Sequence, residues 1–407
     1  MTSQKILEQV DWPLLIITIL LILFGEIAIY SSSAKIVGAE ILFEDFYLKQ
    51  LIWILIASVI FVLVLTIPDL LMDIFVIPFY VFSILLLLIV LFLPSVKGVH
   101  RWIGFGGLSI QPSEIAKISS VLLIAKIISK KYISNWKIIV YAFLIILLPM
   151  LLIFLEPDLG SCLIFPVFGF SMIFFAGVSA FLLFIILSPL LSIIVGFSIF
   201  WWIIFDLILL IILFRKRLSL FLSGTIFIAN AFISWLTPFF WSQLRGYQQN
   251  RILSFLHPTK DVLGSGYQII QSKIAIGSGQ IFGKGLLQGT QKNLDFLPAQ
   301  HTDFIFSVIG EEFGFLGCFI LLILFSLLIW RIISIMKSVT NISQKLIIIG
   351  ILSFLTFQII VNIGMNLGLF PVVGIPLPFI SYGGSALLIN AVAIAIITKL
   401  GKEKSFI

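Results

Sequence analysis

The chain runs to 407 residues with a net charge of +7; 61% of it is apolar and only 11% charged, against about 25% charged in an ordinary soluble domain. That composition excludes a string of soluble domains and makes the length a measure of bilayer crossings, each needing roughly 20 apolar residues. The positive charges sit mostly in short loops between apolar runs, which reads as membrane topology and not as a nucleic-acid patch, while two cysteines inside apolar runs (Cys162, Cys318) and three scattered histidines exclude a disulfide framework and a zinc site.

Apolar stretches follow one another at 13–31, 50–67, 72–93, 113–130, 138–155, 159–176, 179–197, 198–214, 219–237, 303–330, 346–366 and 381–398. They predict an all-α polytopic integral membrane protein, one transmembrane domain over 1–407, with a bundle of about 10–12 helices. The first stretch lacks a small-residue cleavage site and reads as a retained helix, not a signal peptide. Residues 179–214 are one apolar run whose only charge is Asp206. They admit two crossings, or one crossing and an interfacial helix. With the N-terminus in the cytoplasm, 14 of the 25 Lys and Arg fall in inside loops, among them Lys126, Arg215, Lys216, Arg217, Arg331 and Lys399, as the positive-inside rule asks. Deleting both doubtful stretches keeps this parity; deleting one breaks it. The opposite face carries a glycine-rich loop at 95–112, a short acidic turn at 156–160, a long loop at 238–302 and a Pro/Gly segment at 370–380. The long loop holds too many Ile, Leu and Phe residues for disorder and is expected to fold back onto the membrane surface.

Charges at membrane depth are functional hypotheses by default. Arg101, just before the fourth stretch, suits phosphate recognition as a planar cation, or snorkels to the interface. Glu114 and Lys117 are three apart, share a helix face and can pair, either structurally or as part of a polar site. Glu156 and Asp158 lie at the same depth on the neighbouring hairpin. Asp261 is the only acid between Asp206 and Asp295; at an outer surface it is a candidate general base, or a turn-forming residue. No phosphate-binding GxxxxGK[ST] loop is present. At 301–307, Thr302 is placed to cap a helix whose first turn holds Asp303. Three prolines and a Gly-Gly pair within 362–385 predict a broken, re-entrant geometry, tolerated only where it is buried in protein or lines a cavity.

The blocks RWI…QPSEIAK (101–117), EPDLGS (156–161), DVLGSGYQIIQSKIAIGSG (261–279), GTQ…FLPAQHTDFIFSVIGEEFGFLG (289–317) and NIGMNLGLFPVVGIPLPFISYGGS (362–385) together resemble the shape, elongation, division and sporulation (SEDS) family, in that family's order. Within it, PVVGIPLPFISYGG is most similar to the rod-shape branch. The resemblance implies a peptidoglycan glycosyltransferase polymerising lipid II outside the bacterial inner membrane. Asp261 would be the general base, with inversion at the anomeric carbon and undecaprenyl pyrophosphate as leaving group. It implies Arg101, Glu114, Lys117 and Asp158 as a polar cluster under the loop, with Gln271, Ser272, Lys273, His301, Thr302, Asp303 and Ser381 as further candidate substrate contacts. No cofactor is firmly implied; a divalent cation (Mg or Mn) at Glu114 and Asp158 is the one option. The implied partners are a class B penicillin-binding protein and other elongation-complex membrane proteins, with no nucleic acid. Relative to the family, 179–237 carries an extra helical hairpin, and 238–302 is the extracytoplasmic catalytic loop. A lipid II flippase, the division paralogue, and a scaffold without activity are the competing readings.

Overall fold

The computed structural model describes residues 10–37, 40–94, 101–105, 108–130, 134–244, 246, 249, 253–255, 265–290 and 300–401. Asp261 lies outside the described residues, as do the rest of 256–264 and the stretch 291–299. A helix stands at every apolar stretch: α1 Trp12–Ser32, α2 Phe46–Thr66, α3 Asp69–Phe92, α4 Pro112–Ile128, α5 Asn135–Leu155, α6 Leu159–Phe175, α7 Ala180–Val195, α8 Ile199–Arg215, α9 Leu220–Trp235, the short α10 Thr237–Gln243, α11 Ser265–Ser278 within the long loop, α12 Ile305–Ser338, α13 Ile342–Asn366 and α14 Gly384–Leu400. Among the described residues six helices are long and apolar enough to cross a membrane, or seven where the bent pair α9–α10 is taken as one span. Two short antiparallel hairpins, Ala34–Val37 with Glu40–Phe43 and Ile103–Phe105 with Leu108–Ile110, were not anticipated from the apolar pattern.

Local chemistry sets the helix ends. Asp11 caps α1 by accepting from the Leu14 N–H at 3.1 Å, Asp158 caps α6 through the Ser161 N–H at 3.2 Å, and Pro112 opens α4, where its missing N–H costs nothing. α4 is buried almost all round, so it runs through the middle of the bundle, between α3, α5 and α13. α2 packs along α14, and α6 along α13. The outward faces of the peripheral helices expose large apolar side chains such as Leu55, Phe92 and Phe214, as lipid contact requires.

Side-chain contacts test the parity. Arg331 grips Asp11 with two bonds of 2.9 and 2.6 Å. Lys399 pairs with Asp69 at 2.9 Å, Lys126 pairs with Asp73 at 3.0 Å, and Lys216 lies over the Phe181 ring at 5.4 Å. Each contact joins residues that the alternation assigns to one face. At the other face Arg101 meets the 156–158 turn, and the Thr237 hydroxyl donates to the Ile193 carbonyl beside Gly196. Thus α7, α8 and α9 alternate in direction, and the run 179–214 is two helices broken at 196–198. A polar ladder fastens α7 to α9: the Ser192 hydroxyl donates to Asn230 Oδ1 at 2.8 Å, and the Ser234 hydroxyl to the Ser192 carbonyl at 3.0 Å. Such bonds replace the hydrophobic drive that lipid removes.

The segment 371–383 is irregular, as its prolines predict, and Ile375, Leu377, Phe379 and Ile380 in it are buried. Buried donors supply what a helix would: the Asn362 amide donates to the Ile375 carbonyl at 2.8 Å, and the Leu377 N–H donates to Ser381 Oγ at 2.8 Å.

Candidate functional site

The N-terminal ends of α4 and α6 converge on one polar cluster. Lys117 and Glu114 pair at 2.7 Å on one face of α4, with side chains 0% and 4% exposed, and Lys117 also lies 5.6 Å from the Phe354 ring centre. One turn earlier Gln111, just ahead of α4, donates to Asp158 Oδ2 at 2.9 Å. Asp158 further accepts from the Ser161 hydroxyl at 2.9 Å and stands 3.9 Å from the Arg101 guanidinium. Arg101 donates to the carbonyls of Glu156, at 3.1 Å, and Pro157, while its side chain stays 26% exposed. The guanidinium therefore braces the turn and still presents donors outward.

Glu156, between α5 and α6, is fully buried. Burial, reinforced by the Asp158 charge and opposed by Arg101, pushes its carboxyl up to about 8.

A divalent cation takes several oxygen ligands. Glu114 is engaged by Lys117, and both Asp158 oxygens already accept from protein donors. Among the described residues no group of three or more His, Cys, Asp or Glu forms a metal site. As paired here, the donor set does not fit the divalent cation that Glu114 and Asp158 suggested.

A second cluster gathers at the start of α12. The sequence expectation that Thr302 caps a helix with Asp303 in its first turn is corrected: residues 301–304 form a turn and α12 begins at Ile305 without a side-chain cap of its own. The cap comes from another helix. Asn366 Oδ1 accepts from the Ser307 N–H at 3.2 Å and from its hydroxyl at 2.5 Å. The Asn366 amide donates to the Asp303 carbonyl at 3.0 Å, and Asn362 donates to it at 3.1 Å. Ser272 of α11 is buried there, 2.6 Å from the Asn366 carbonyl and 2.5 Å from Ser307 Oγ. The Ser381 hydroxyl donates to the Thr302 carbonyl at 2.6 Å. His301 stacks on Phe46 with ring centres 4.0 Å apart and meets Tyr382 edge-on. Ser272 and Ser381 thus fasten backbone, while Gln271 is half-buried and Lys273 exposed, the latter with its chain against Gly368.

The sequence reading missed Gln111, Ser307, Asn362 and Asn366. The two asparagines carried a legible signal: amides four apart, hence on one face, within an apolar helix.

A model of the FtsW/RodA/SpoVE family, described as cell cycle proteins, matches residues 11–205 and 201–405. The two matches overlap at 201–205, inside α8. The peptidoglycan glycosyltransferase MrdB of Escherichia coli (strain K12) is 33% identical over 402 residues, covering 98% of this chain and 95% of its own length. The peptidoglycan glycosyltransferase RodA of Treponema pallidum is 35% identical over 426 residues, covering 97% of this chain and 98% of its own. A solved structure, described as structural coordination of polymerization and crosslinking by a peptidoglycan synthase complex, matches with a TM-score of 0.72 at 24% identity over 97% of this chain and 98% of that one; this is a likeness of fold.

Proposed function

The chain belongs to the FtsW/RodA/SpoVE family of cell cycle proteins, and on that footing we propose that it is a peptidoglycan glycosyltransferase that polymerises lipid II during cell elongation. The observation that carries this reading is the juxtaposition, at one end of a membrane bundle, of Arg101, Gln111 and Asp158 with the buried Glu114–Lys117 pair one helical turn below. Cations and donors gathered at a membrane surface suit a lipid pyrophosphate, whose negative charge grows as it leaves.

In this reading the Asp261 carboxylate removes the proton from the acceptor sugar hydroxyl. The hydroxyl oxygen forms a bond to the donor's anomeric carbon as the bond from that carbon to pyrophosphate breaks, with inversion. Arg101, braced by the 156–158 turn, meets the leaving group, and Lys117 holds Glu114 in the floor of the site. Asp261 precedes α11 in the chain, and that helix is tied through Ser272 to Ser307 and Asn366. The site faces the outside of the inner membrane. A class B penicillin-binding protein would crosslink the strands, in keeping with the coupling of polymerization and crosslinking described for the matched complex.

The test is polymer formation from purified lipid II by the wild type and by Asp261→Ala. Polymer from the first and none from the folded second is the expected result. Equal polymer from both removes Asp261 as the base. Lipid II translocation without polymer from the wild type would instead make the chain a flippase.

A further inference from the structure

We propose that Glu311 is a positioning residue for that reaction: with Lys284 and Thr290 it latches the descending arm of the catalytic loop into an opened turn of α12. The inference rests on the glycosyltransferase reading above.

The geometry begins with a break in α12. Gly314 has φ 65° and ψ −159°, far from helical values. In an unbroken helix the Phe315 N–H would bond the Glu311 carbonyl, and the Leu316 N–H the Glu312 carbonyl. Both rungs are open, and the arm that follows α11 fills both sides of each. The Phe315 N–H donates to the Gln280 carbonyl at 2.8 Å, and the Leu316 N–H to the Ile281 carbonyl at 3.0 Å. In return the Lys284 N–H donates to the Glu311 carbonyl at 3.0 Å, and the Gly285 N–H to the Glu312 carbonyl at 3.0 Å. Two helix bonds are replaced by four bonds to the arm. Only glycine lets the backbones come so close: at Gly283, with φ +81°, an added Cβ would lie 2.0 Å from the Glu312 carbonyl oxygen, and at Gly314 it would lie 2.3 Å from the Gly283 nitrogen.

The Glu311 side chain locks this splice. It is 1% exposed, and its Oε1 accepts from Lys284 Nζ at 2.6 Å, the Thr290 N–H at 2.8 Å and the Thr290 hydroxyl at 2.9 Å. Lys284 Nζ also donates to Thr290 Oγ1 at 2.8 Å, closing the triangle. Convergence of several donors on a charged oxygen makes stronger and shorter bonds than a neutral amide would. Glu312 turns the other way and accepts from the Ser31 hydroxyl of α1 at 2.7 Å. The same turn of α12 thus holds the arm on one side and the first helix on the other. The upstream end of the arm is held separately, by Ser272 on Ser307 and Asn366. In the sequence Asp261 comes just before Ser265, where α11 begins. The latch fixes the direction of that helix and touches neither Arg101 nor Asp158, so its effect is on placement and not on substrate contact.

The full chain carries the test, as Glu311→Gln, Lys284→Met, Thr290→Val and Thr290→Ser, each assayed for lipid II polymerisation and for hydrogen–deuterium exchange over 265–290. A misplacement of about 1 Å costs roughly 100-fold in rate, so Glu311→Gln is expected to lower kcat by about that factor and leave KM for lipid II little changed. Exchange over 265–290 should quicken while exchange in α14 does not. Thr290→Ser should behave as wild type and Thr290→Val should fall between. Folded Glu311→Gln with wild-type kcat, or with low kcat and unchanged exchange, overturns the proposal. Should Glu311→Gln not fold, Lys284→Met and Thr290→Val decide, and wild-type kcat and exchange in both overturn it. If the wild type itself makes no polymer, the glycosyltransferase reading falls; exchange alone then judges the latch, quickening supporting it and constancy overturning it.

Discussion

Replacing Glu114 by Gln isolates what burial does to the Glu114–Lys117 pair. The two charged groups are 2.7 Å apart with side chains 4% and 0% exposed, so water cannot solvate whichever charge is left. An exposed helical pair at this spacing is worth only about 0.3–0.5 kcal/mol, whereas breaking a buried pair by removing one partner costs about 3–5 kcal/mol. The structure therefore places Glu114→Gln in the second range, some tenfold above the first. Replacing both residues with apolar ones, as Glu114→Leu with Lys117→Met, removes the stranded cation while keeping its packing against Phe354. It should recover most of the loss, because hydrophobic replacement of a buried pair is often neutral. The assay is unfolding by SDS in mixed micelles, followed by tryptophan fluorescence. A single variant within about 0.5 kcal/mol of wild type, the range of ordinary surface substitutions, would refute the reasoning, and so would a double variant no more stable than the single one. Polymerisation by the double variant then separates the roles: the site assignment expects a stable but inactive protein, and full activity would make the pair structural only.

Glu156 predicts a pH dependence of stability. Its carboxyl titrates near 8 when folded, above the ordinary value of 4.5, so the folded state holds the proton more tightly. The stability this contributes is fully present below about pH 4.5 and declines as pH rises through about 8; Glu156→Gln should flatten that slope, and an unchanged unfolding profile between these values would contradict it. Asn366→Leu removes the acceptor of the Ser307 hydroxyl and one of the two amide donors to the Asp303 carbonyl, while the Ser307 N–H keeps the Phe304 carbonyl, so the expected loss is about 0.5–1.5 kcal/mol for each hydrogen bond removed; an unchanged SDS-unfolding midpoint would count against the cap supplied from α13.

Much of the architecture was legible because lipid imposes a simple rule: backbone polar groups must be satisfied within the segment, so each apolar run becomes a helix. The alternation of faces followed from the placement of Lys and Arg, and the contacts Arg331–Asp11 and Lys399–Asp69 obey it. The Glu114–Lys117 pairing is equally local, since a spacing of three places both side chains on one face. The start of α12 was misread because a local cap at Thr302 was assumed, whereas the donor there is met by Asn366, 59 residues away in the chain.

Spacing and composition, which act over one or two turns of helix, were thus enough to determine the membrane class, the helices, their alternating sides and the single-helix ion pair. Tertiary structure alone decided which carbonyls Arg101 grips, how α12 is capped, and that the arm after α11 enters the opened turn at Gly314. Those contacts join segments far apart in the chain, and a hydrogen bond depends on distance and angle that no local pattern encodes.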